Sequence, residues 1–494
     1  MLQELLKANR FIAGHAKEVI TDYRNQYHLM APIGWINDPN GFVYFKGEYH
    51  LFYQYYPYDS VWGPMHWGHA KSRDLVHWEE LPVALAPSES YDNEGCFSGS
   101  AIEKEGKLYL VYTGCNKKDG KMRQIQCLAV SEDGIHFEKY AGNPIIDEEQ
   151  LKGIASTEDF RDPKIFKKGD AYYAVVAAKT ADARGQILLF RSSDLLNWDF
   201  YSVLLTGEVN QGIMWECPDL FELDGKDVLI LSPIQMQEDG YSYKNTSSTV
   251  AFIGEVDWET GHFSTENYHE IDCGLDFYAP QTCENLQGQR MMVAWMQMWD
   301  RRMPTNEFKH GWAGSMTLPR ELHVENNCLV QKPIATIYQA IEEEVALAVK
   351  DLEAQSYELK DCIAEQDYLH LVIDMQQATK INLQYAKSAT EAVELSYDAA
   401  ETCFTMSRKN IGYELPGSEK EMLTERSVKL ALNQQPLEIE IFRDTSAIEI
   451  FLNGGKTMTM TFYETEKGRD FILTADSKVK FSLNSGEFNL QKEG

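Results

Sequence analysis

The sequence predicts an all-β protein, a five-bladed β-propeller followed by a C-terminal β-sandwich. Short apolar strands led by a glycine recur about every sixty residues, the spacing of a repeat that forms one propeller blade. They are Gly47-Glu-Tyr-His-Leu-Phe-Tyr, Gly106-Lys-Leu-Tyr-Leu-Val-Tyr, Gly169-Asp-Ala-Tyr-Tyr-Ala-Val, Gly225-Lys-Asp-Val-Leu-Ile-Leu and Gly288-Gln-Arg-Met-Met-Val-Ala-Trp. A second element keeps the same beat: Ser72-Arg-Asp-Leu-Val-His-Trp, Ser131-Glu-Asp-Gly-Ile-His-Phe and, one residue shorter, Ser193-Asp-Leu-Leu-Asn-Trp. Beyond residue 351 the long repeat gives way to alternation, Leu437, Ile439 and Ile441 against Glu438, Glu440 and Phe442. That is the pattern of half-buried strands in a sandwich.

Taken in chain order, residues 1–30 read as an amphipathic helix, because Leu5, Ala8, Ile12, Ala16, Val19 and Ile20 fall at helical spacing. Residues 31–335 form the ring, since runs of Val, Tyr, Ile and Leu lie between Gly, Asp and Asn turns. A sandwich with accidental periodicity is the alternative, and two sub-motifs sharing one period argue against it. Residues 336–350, after Pro333, read as a linker with helical character, and 351–494 as the sandwich.

A chain of 494 residues is too long for one ordinary core, which agrees with two domains. Its formal net charge of −30 repels phosphate backbones and anionic lipid heads, arguing against nucleic-acid and membrane partners. Nine scattered cysteines without a C-x-x-C pair suit a reducing compartment better than a disulfide framework or a zinc site. Glu4, Lys7, Arg10, Lys17 and Glu18 interrupt every early apolar run, so no secretory segment is read there and a cytoplasmic location is expected. The twelve histidines show no metal spacing, and no cofactor is implied.

Three acids stand a few residues upstream of the glycine-led strand in different repeats: Asp38 in Trp35-Ile-Asn-Asp-Pro-Asn-Gly, Asp162 in Phe160-Arg-Asp-Pro, and Glu216 in Trp215-Glu-Cys-Pro-Asp. The innermost strands of a propeller begin at one mouth of its channel, so these places aim three carboxylates into one funnel. Carboxylates pressed together cannot all ionise freely, and one is driven to keep its proton. Glycoside cleavage uses that pairing, with one carboxylate attacking the anomeric carbon and a carboxylic acid protonating the leaving oxygen. A proline one or two residues after each acid rigidifies the turn. Taken singly, each acid is ordinary turn chemistry. Three in register with the repeat are not.

These motifs closely resemble glycoside hydrolase family 32, the invertases, sucrose-6-phosphate hydrolases, inulinases and levanases, over nearly the whole chain. The resemblance implies the same propeller-plus-sandwich fold, with Asp38 as nucleophile, Asp162 as transition-state stabiliser and Glu216 as acid/base. It also implies sugar contacts at Gln54, Trp62, Phe97-Ser98 and Tyr278, and a sandwich signature at Arg443-Asp-Thr-Ser-Ala-Ile-Glu-Ile-Phe-Leu-Asn-Gly. Arg161 is expected to hold Asp162 ionised, Asn37 to position the fructose or the nucleophile, and Trp62 and Trp299 to wall the pocket.

The implied reaction is retaining hydrolysis of the β-fructofuranosyl bond of sucrose 6-phosphate or sucrose, a small-molecule substrate. A fructosyltransferase, or an exo-hydrolase of fructo-oligosaccharides, would use the same acids. A non-catalytic fructoside-binding propeller would not need all three. An anionic substrate would need local positive charge, and Arg301, Arg302, Lys309 and His310 are the candidates, with Arg302 the expected phosphate ligand.

Overall fold

A computed structural model describes residues 1–353, 355–419 and 421–490. The N-terminal helix spans Leu2–His15 and ends in a 3-10 turn at Ala16–Glu18, well short of residue 30. Leu5, Ala8 and Ile12 form its inward stripe, packed on the core of the first sheet. Val19 is already extended, and Ile20 bonds across to another segment: its amide donates to the His310 carbonyl at 3.0 Å and its carbonyl accepts from the Trp312 indole at 2.9 Å. Backbone groups paired in this way leave no ladder for further helical turns. No helix among the described residues is long and apolar enough to cross a membrane.

Five antiparallel meanders follow, over residues 34–85, 95–139, 160–206, 214–270 and 278–333. The first strands are Gly34–Phe45, Gly95–Lys104, Phe160–Lys168, Met214–Leu223 and Tyr278–Glu284. Each packs against the first strand of the next meander, and the fifth packs against the first. A two-residue strand, Trp312–Ala313, leaves the fifth meander to pair in parallel with Gly34 and Trp35 of the first sheet. The recurring glycines open each second strand with φ between 60° and 91°, the left-handed region that a side chain would strain.

The second recurring element is a turn with a repeated hydrogen-bond pattern. Ser72 Oγ accepts from the Leu75 amide while Asp74 accepts from the amides of Val76 and His77. Ser131 and Asp133 do the same for Gly134, Ile135 and His136. Ser192 and Asp194 serve Leu195, Leu196 and Asn197. The third copy therefore begins at Ser192, not Ser193, and is not shortened. The residue after each Asp has positive φ (Leu75, Gly134, Leu195), which the side-chain oxygens compensate.

All five first strands carry a register shift. Asn37-Asp38 oppose a single partner residue, Ser98 is an extra residue, and Asp162-Pro163, Cys217-Pro218 and Ala279-Pro280 each oppose one residue. Such bulges re-aim side chains out of the pleat. They also correct the expected register. The residue before proline is Asp38, Asp162, Cys217 and Ala279, so Glu216 matches Arg161, Asn37 and Tyr278, one position earlier than the two aspartates.

Two six-stranded antiparallel sheets with a shared apolar core make up the C-terminal region. Its first strand, Ile341–Glu353, pairs with the last, Lys478–Phe488. The expected linker is thus a 3-10 turn at Ala335–Ala340 followed directly by strand, because cross-strand pairing outweighs the helix propensity of the Glu run. Residues 491–494 of the expected sandwich lie outside the described residues. Leu437, Ile439 and Ile441 point into the sandwich core as the alternation predicts. Phe442 is equally buried, but on the opposite face, where Phe451 and Phe488 join it against the first sheet.

A buried charge network crosses the same boundary. The Arg320 guanidinium donates to Asp272 at 2.9 Å and to Glu449 at 2.5 Å, and His28 bridges Asp444 and Glu449, both at 3.0 Å. All five side chains are fully buried.

Candidate active site

The bulged ends of the first strands surround one cavity of about 360 Å³. Asn37, Asp38, Gln54, Trp62, Phe97, Ser98, Gln124, Asp159, Arg161, Asp162, Glu216 and Trp299 line it. The sequence thus brought together all three acids and seven of its nine expected contacts.

Asp38 is held from three sides. Ser98 donates to its Oδ2 at 2.7 Å, Asn37 to its Oδ1 at 3.1 Å, and the Cys217 thiol approaches Oδ2 at 3.5 Å. Asn37 is itself fixed by the Trp35 indole, which donates to its Oδ1 at 2.8 Å. Burial pushes the Asp38 carboxyl up, and the charge of Glu216 adds to that, against the bonds from Ser98 and Asn37.

Asp162 has left-handed φ of 63°, and its Oδ2 accepts from the Cys217 amide at 3.0 Å. Burial raises its carboxyl, the Arg161 charge lowers it, and Glu216 and Asp38 raise it again, leaving it at about 7. At neutral pH this cluster keeps a proton for part of the time, although two of its acids are aspartates.

Glu216 is gripped most firmly. Arg161 donates to its Oε1 through Nε at 3.0 Å and Nη2 at 2.7 Å, and the Tyr278 hydroxyl lies 2.5 Å from its Oε2. Arg161 thus hydrogen-bonds Glu216 and stands 4.0 Å from Asp162, on which it acts as expected through its charge alone. The one-residue offset explains this, since Arg161 and Glu216 occupy matching positions on neighbouring strands.

Aromatic rings form the walls. Trp62 is 47% exposed at the rim and meets Phe97 edge-on at 5.9 Å, while Trp299 stacks near Trp35 at 6.1 Å. Gln54 is buried, its amide donating to the Cys96 carbonyl at 3.0 Å. Tyr278 is not among the lining residues and reaches the site through its bond to Glu216.

The basic cluster is not in the cavity. Arg302 Nε lies 2.9 Å from both carboxylate oxygens of Glu307, and its Nη1 donates to the Glu414 carbonyl at 3.1 Å. Arg301 is buried in ion pairs with Asp276 and Glu419, both at 2.7 Å. His310 is buried and stacks on Tyr23. Consecutive residues in an irregular turn point in unrelated directions, so sequence clustering gave no spatial cluster.

Gln124 and Asp159 line the cavity without having been anticipated. Gln124 Oε1 accepts from Arg161 Nη1 at 3.3 Å. Asp159 stands two residues before Arg161 and pairs with Lys179 at 3.0 Å. Asp159 ends a 3-10 turn just before the strand that carries Arg161, so no strand alternation marks it in the sequence. Gln124 carries no signal either.

Paired carboxylates, one of them held near neutrality, in a cavity walled by aromatic rings are the equipment of a glycoside-cleaving site. Residues 28–333 match the glycosyl hydrolases family 32 N-terminal domain and residues 336–488 the family 32 C-terminal domain. The chain belongs to glycosyl hydrolases family 32. It is similar to a sucrose-6-phosphate hydrolase of Escherichia coli, 37% identical over 92% of each chain. Among solved structures it is similar to a Bombyx mori family 32 beta-fructofuranosidase, with 35% identity and TM-score 0.83, covering 98% of this chain and 97% of that one. A sucrose-6-phosphate hydrolase from Lactobacillus gasseri gives TM-score 0.85 at 28% identity, covering 99% and 96%.

Proposed function

We propose that the protein is a retaining β-fructofuranosidase acting on sucrose 6-phosphate and sucrose. Asp38 attacks C2 of the fructosyl unit, and Glu216 protonates the departing glucosyl oxygen and then deprotonates the incoming water. Asp162 accepts hydrogen bonds from fructose hydroxyls as positive charge develops. The observation that carries the reading is that all three acids line one sugar-sized cavity, each held by a different set of donors. The relatives' names support the substrate.

Arg161 and Tyr278 act as positioning residues for Glu216. Ser98 and Asn37 hold the two oxygens of Asp38 and so fix the orientation of its carboxylate. Trp62, Phe97 and Trp299 offer apolar faces to the sugar rings. The five meanders are the blades of a closed propeller, with the catalytic domain running to residue 335 and the sandwich beginning by 341. Nine unpaired cysteines favour a reducing, cytoplasmic setting.

Arg161 is the one cation among the described lining residues, and Glu216 engages it. Unphosphorylated sucrose is therefore expected to be turned over at least as efficiently as its 6-phosphate. Parallel kinetics on sucrose, sucrose 6-phosphate and 1-kestose test this reading. No release of fructose from any of the three would refute it, and transfer products dominating at high sucrose would favour a fructosyltransferase.

A further inference from the structure

Trp299 is followed by three residues that are all tied to the other domain. The connection between the sandwich strands Cys403–Ser407 and Glu425–Lys429 reaches across to the segment 300–302. Ser418 Oγ donates to Asp300 Oδ2 at 3.2 Å, Arg301 Nη2 donates to Glu419 Oε1 at 2.7 Å, and the Arg302 amide donates to the Pro416 carbonyl at 2.9 Å. Gly417 permits the approach, because a Cβ there would collide with Glu419 Oε2 and stand 3.0 Å from Arg301 Cγ. The loop is anchored at its near end as well: Arg408 donates to Asp276, the same carboxylate that pairs with Arg301.

These ties meet a strained backbone. Asp300 has φ of 62°, in the left-handed region that a non-glycine residue holds only when its surroundings fix it. Trp299, immediately before it, packs on Trp295 at 4.9 Å and Trp35 at 6.1 Å. Trp35 in turn donates to Asn37, and Asn37 to Asp38. A continuous set of contacts thus runs from the sandwich loop to the cavity wall and on to the nucleophile.

We propose that this sandwich loop positions Trp299 against the bound sugar, and that Glu419 is a positioning residue for substrate although it lies on the other domain. The proposal rests on the reading of the cavity as the fructoside site, and it gives the sandwich a part in substrate capture. Arg301 is held between Asp276 on one domain and Glu419 on the other. Removing Glu419 frees one side of that clamp and lets the turn carrying Trp299 relax. The acids themselves are untouched.

The test is steady-state kinetics on sucrose with the full chain, comparing Glu419→Ala, Trp299→Ala and the double variant. Glu419→Ala is expected to raise KM about fivefold or more with kcat within about twofold, the signature of lost binding without lost chemistry. In the Trp299→Ala background the same change should add less than about 1.5-fold, because the two act through one contact. Glu419→Gln, whose amide oxygen still accepts from Arg301, should restore most of the wild-type KM. Glu464→Ala breaks another buried pair of the sandwich, with Arg443 at 3.0 Å, and should leave KM alone. Where Glu419→Ala does not fold, Gly417→Ala perturbs the same contact and takes its place.

An unmoved KM in Glu419→Ala or Trp299→Ala would overturn the proposal. So would fully additive effects in the double variant, or an equal rise in Glu464→Ala. A wild-type protein that releases no fructose from any fructoside would refute the fructosidase reading itself, a result distinct from all of these.

Discussion

Two buried charge clusters in this molecule use similar residues to opposite ends. At the cavity, Asp38, Asp162 and Glu216 crowd together with one guanidinium, that of Arg161, which bonds Glu216 and lowers Asp162, and both aspartates still sit above the usual carboxylate range. At the domain boundary, Asp272, Asp444 and Glu449 meet Arg320 and His28. Burial pushes Asp444 and Glu449 up there too. For Asp444 the bond to His28 and the amides of Tyr27 and Gln26 outweigh it, and for Glu449 the charge of Arg320 and the bond to His28 do so, leaving both below their ordinary values. Burial alone does not decide a carboxylate's state. The ratio of acids to donors around it does, and an excess of acids is what lets the first cluster hold a proton for chemistry.

The comparison predicts opposite outcomes for the same kind of substitution. The largest effect is expected at Asp38: Asp38→Ala should lower kcat by about a thousandfold or more with the fold intact by circular dichroism. A folded variant retaining a tenth of the activity would contradict the assignment. Asp162→Asn should also be inactive, yet more stable. Its folded pKa of about 7 lies above that of the unfolded chain, so the native state binds the extra proton and loses stability as pH rises from about 4 to 7. Replacing the acid removes that cost, at most about 4 kcal/mol, and thermal melts at pH 8 should show a higher midpoint.

At the boundary the sign reverses. Glu449→Gln leaves Arg320 and His28 short of a counter-charge and should destabilise by about 3–5 kcal/mol, while kcat per folded molecule is retained. His28 behaves similarly with pH. Burial lowers it, but Asp444 and Glu449 raise it further, to about 9. Its contribution is complete below the unfolded value of about 6.5 and is lost as pH climbs through about 9. Melting midpoints should fall across that window in the wild type and fall less in His28→Gln. The smallest effect is expected at Arg302. Arg302→Ala should change the ratio of kcat/KM for sucrose 6-phosphate and sucrose by less than about twofold, since its charge is engaged outside the cavity.

Much of this contrast was legible in the chain, and unevenly. The repeat located the meanders because one strand and one Ser-x-Asp turn recur for a local physical reason, the glycine φ and the shared side-chain caps. The acids were found because each stands a few residues upstream of a glycine-led strand, with a proline one or two residues on. Their exact offset was not read, although Ala279-Pro280 and Cys217-Pro218 would have revealed it. The hydrogen-bond partner of Arg161 depends on that offset, so its grip on Glu216 was missed. The boundary network was invisible, because His28, Asp272, Arg320 and Glu449 are far apart in sequence and only tertiary packing brings them together. The Arg301–Arg302 run misled for the opposite reason: adjacency in sequence says little about direction in an irregular turn.

The proposed reaction is a double displacement at C2 carried by Asp38, Asp162 and Glu216. Nuclear magnetic resonance of the first fructose released from sucrose, read before mutarotation, tests it most directly. The account predicts β-fructofuranose as the initial product, formed by the wild type and not by Asp38→Ala. Initial release of the α-anomer, or unchanged β-release by Asp38→Ala, would contradict it.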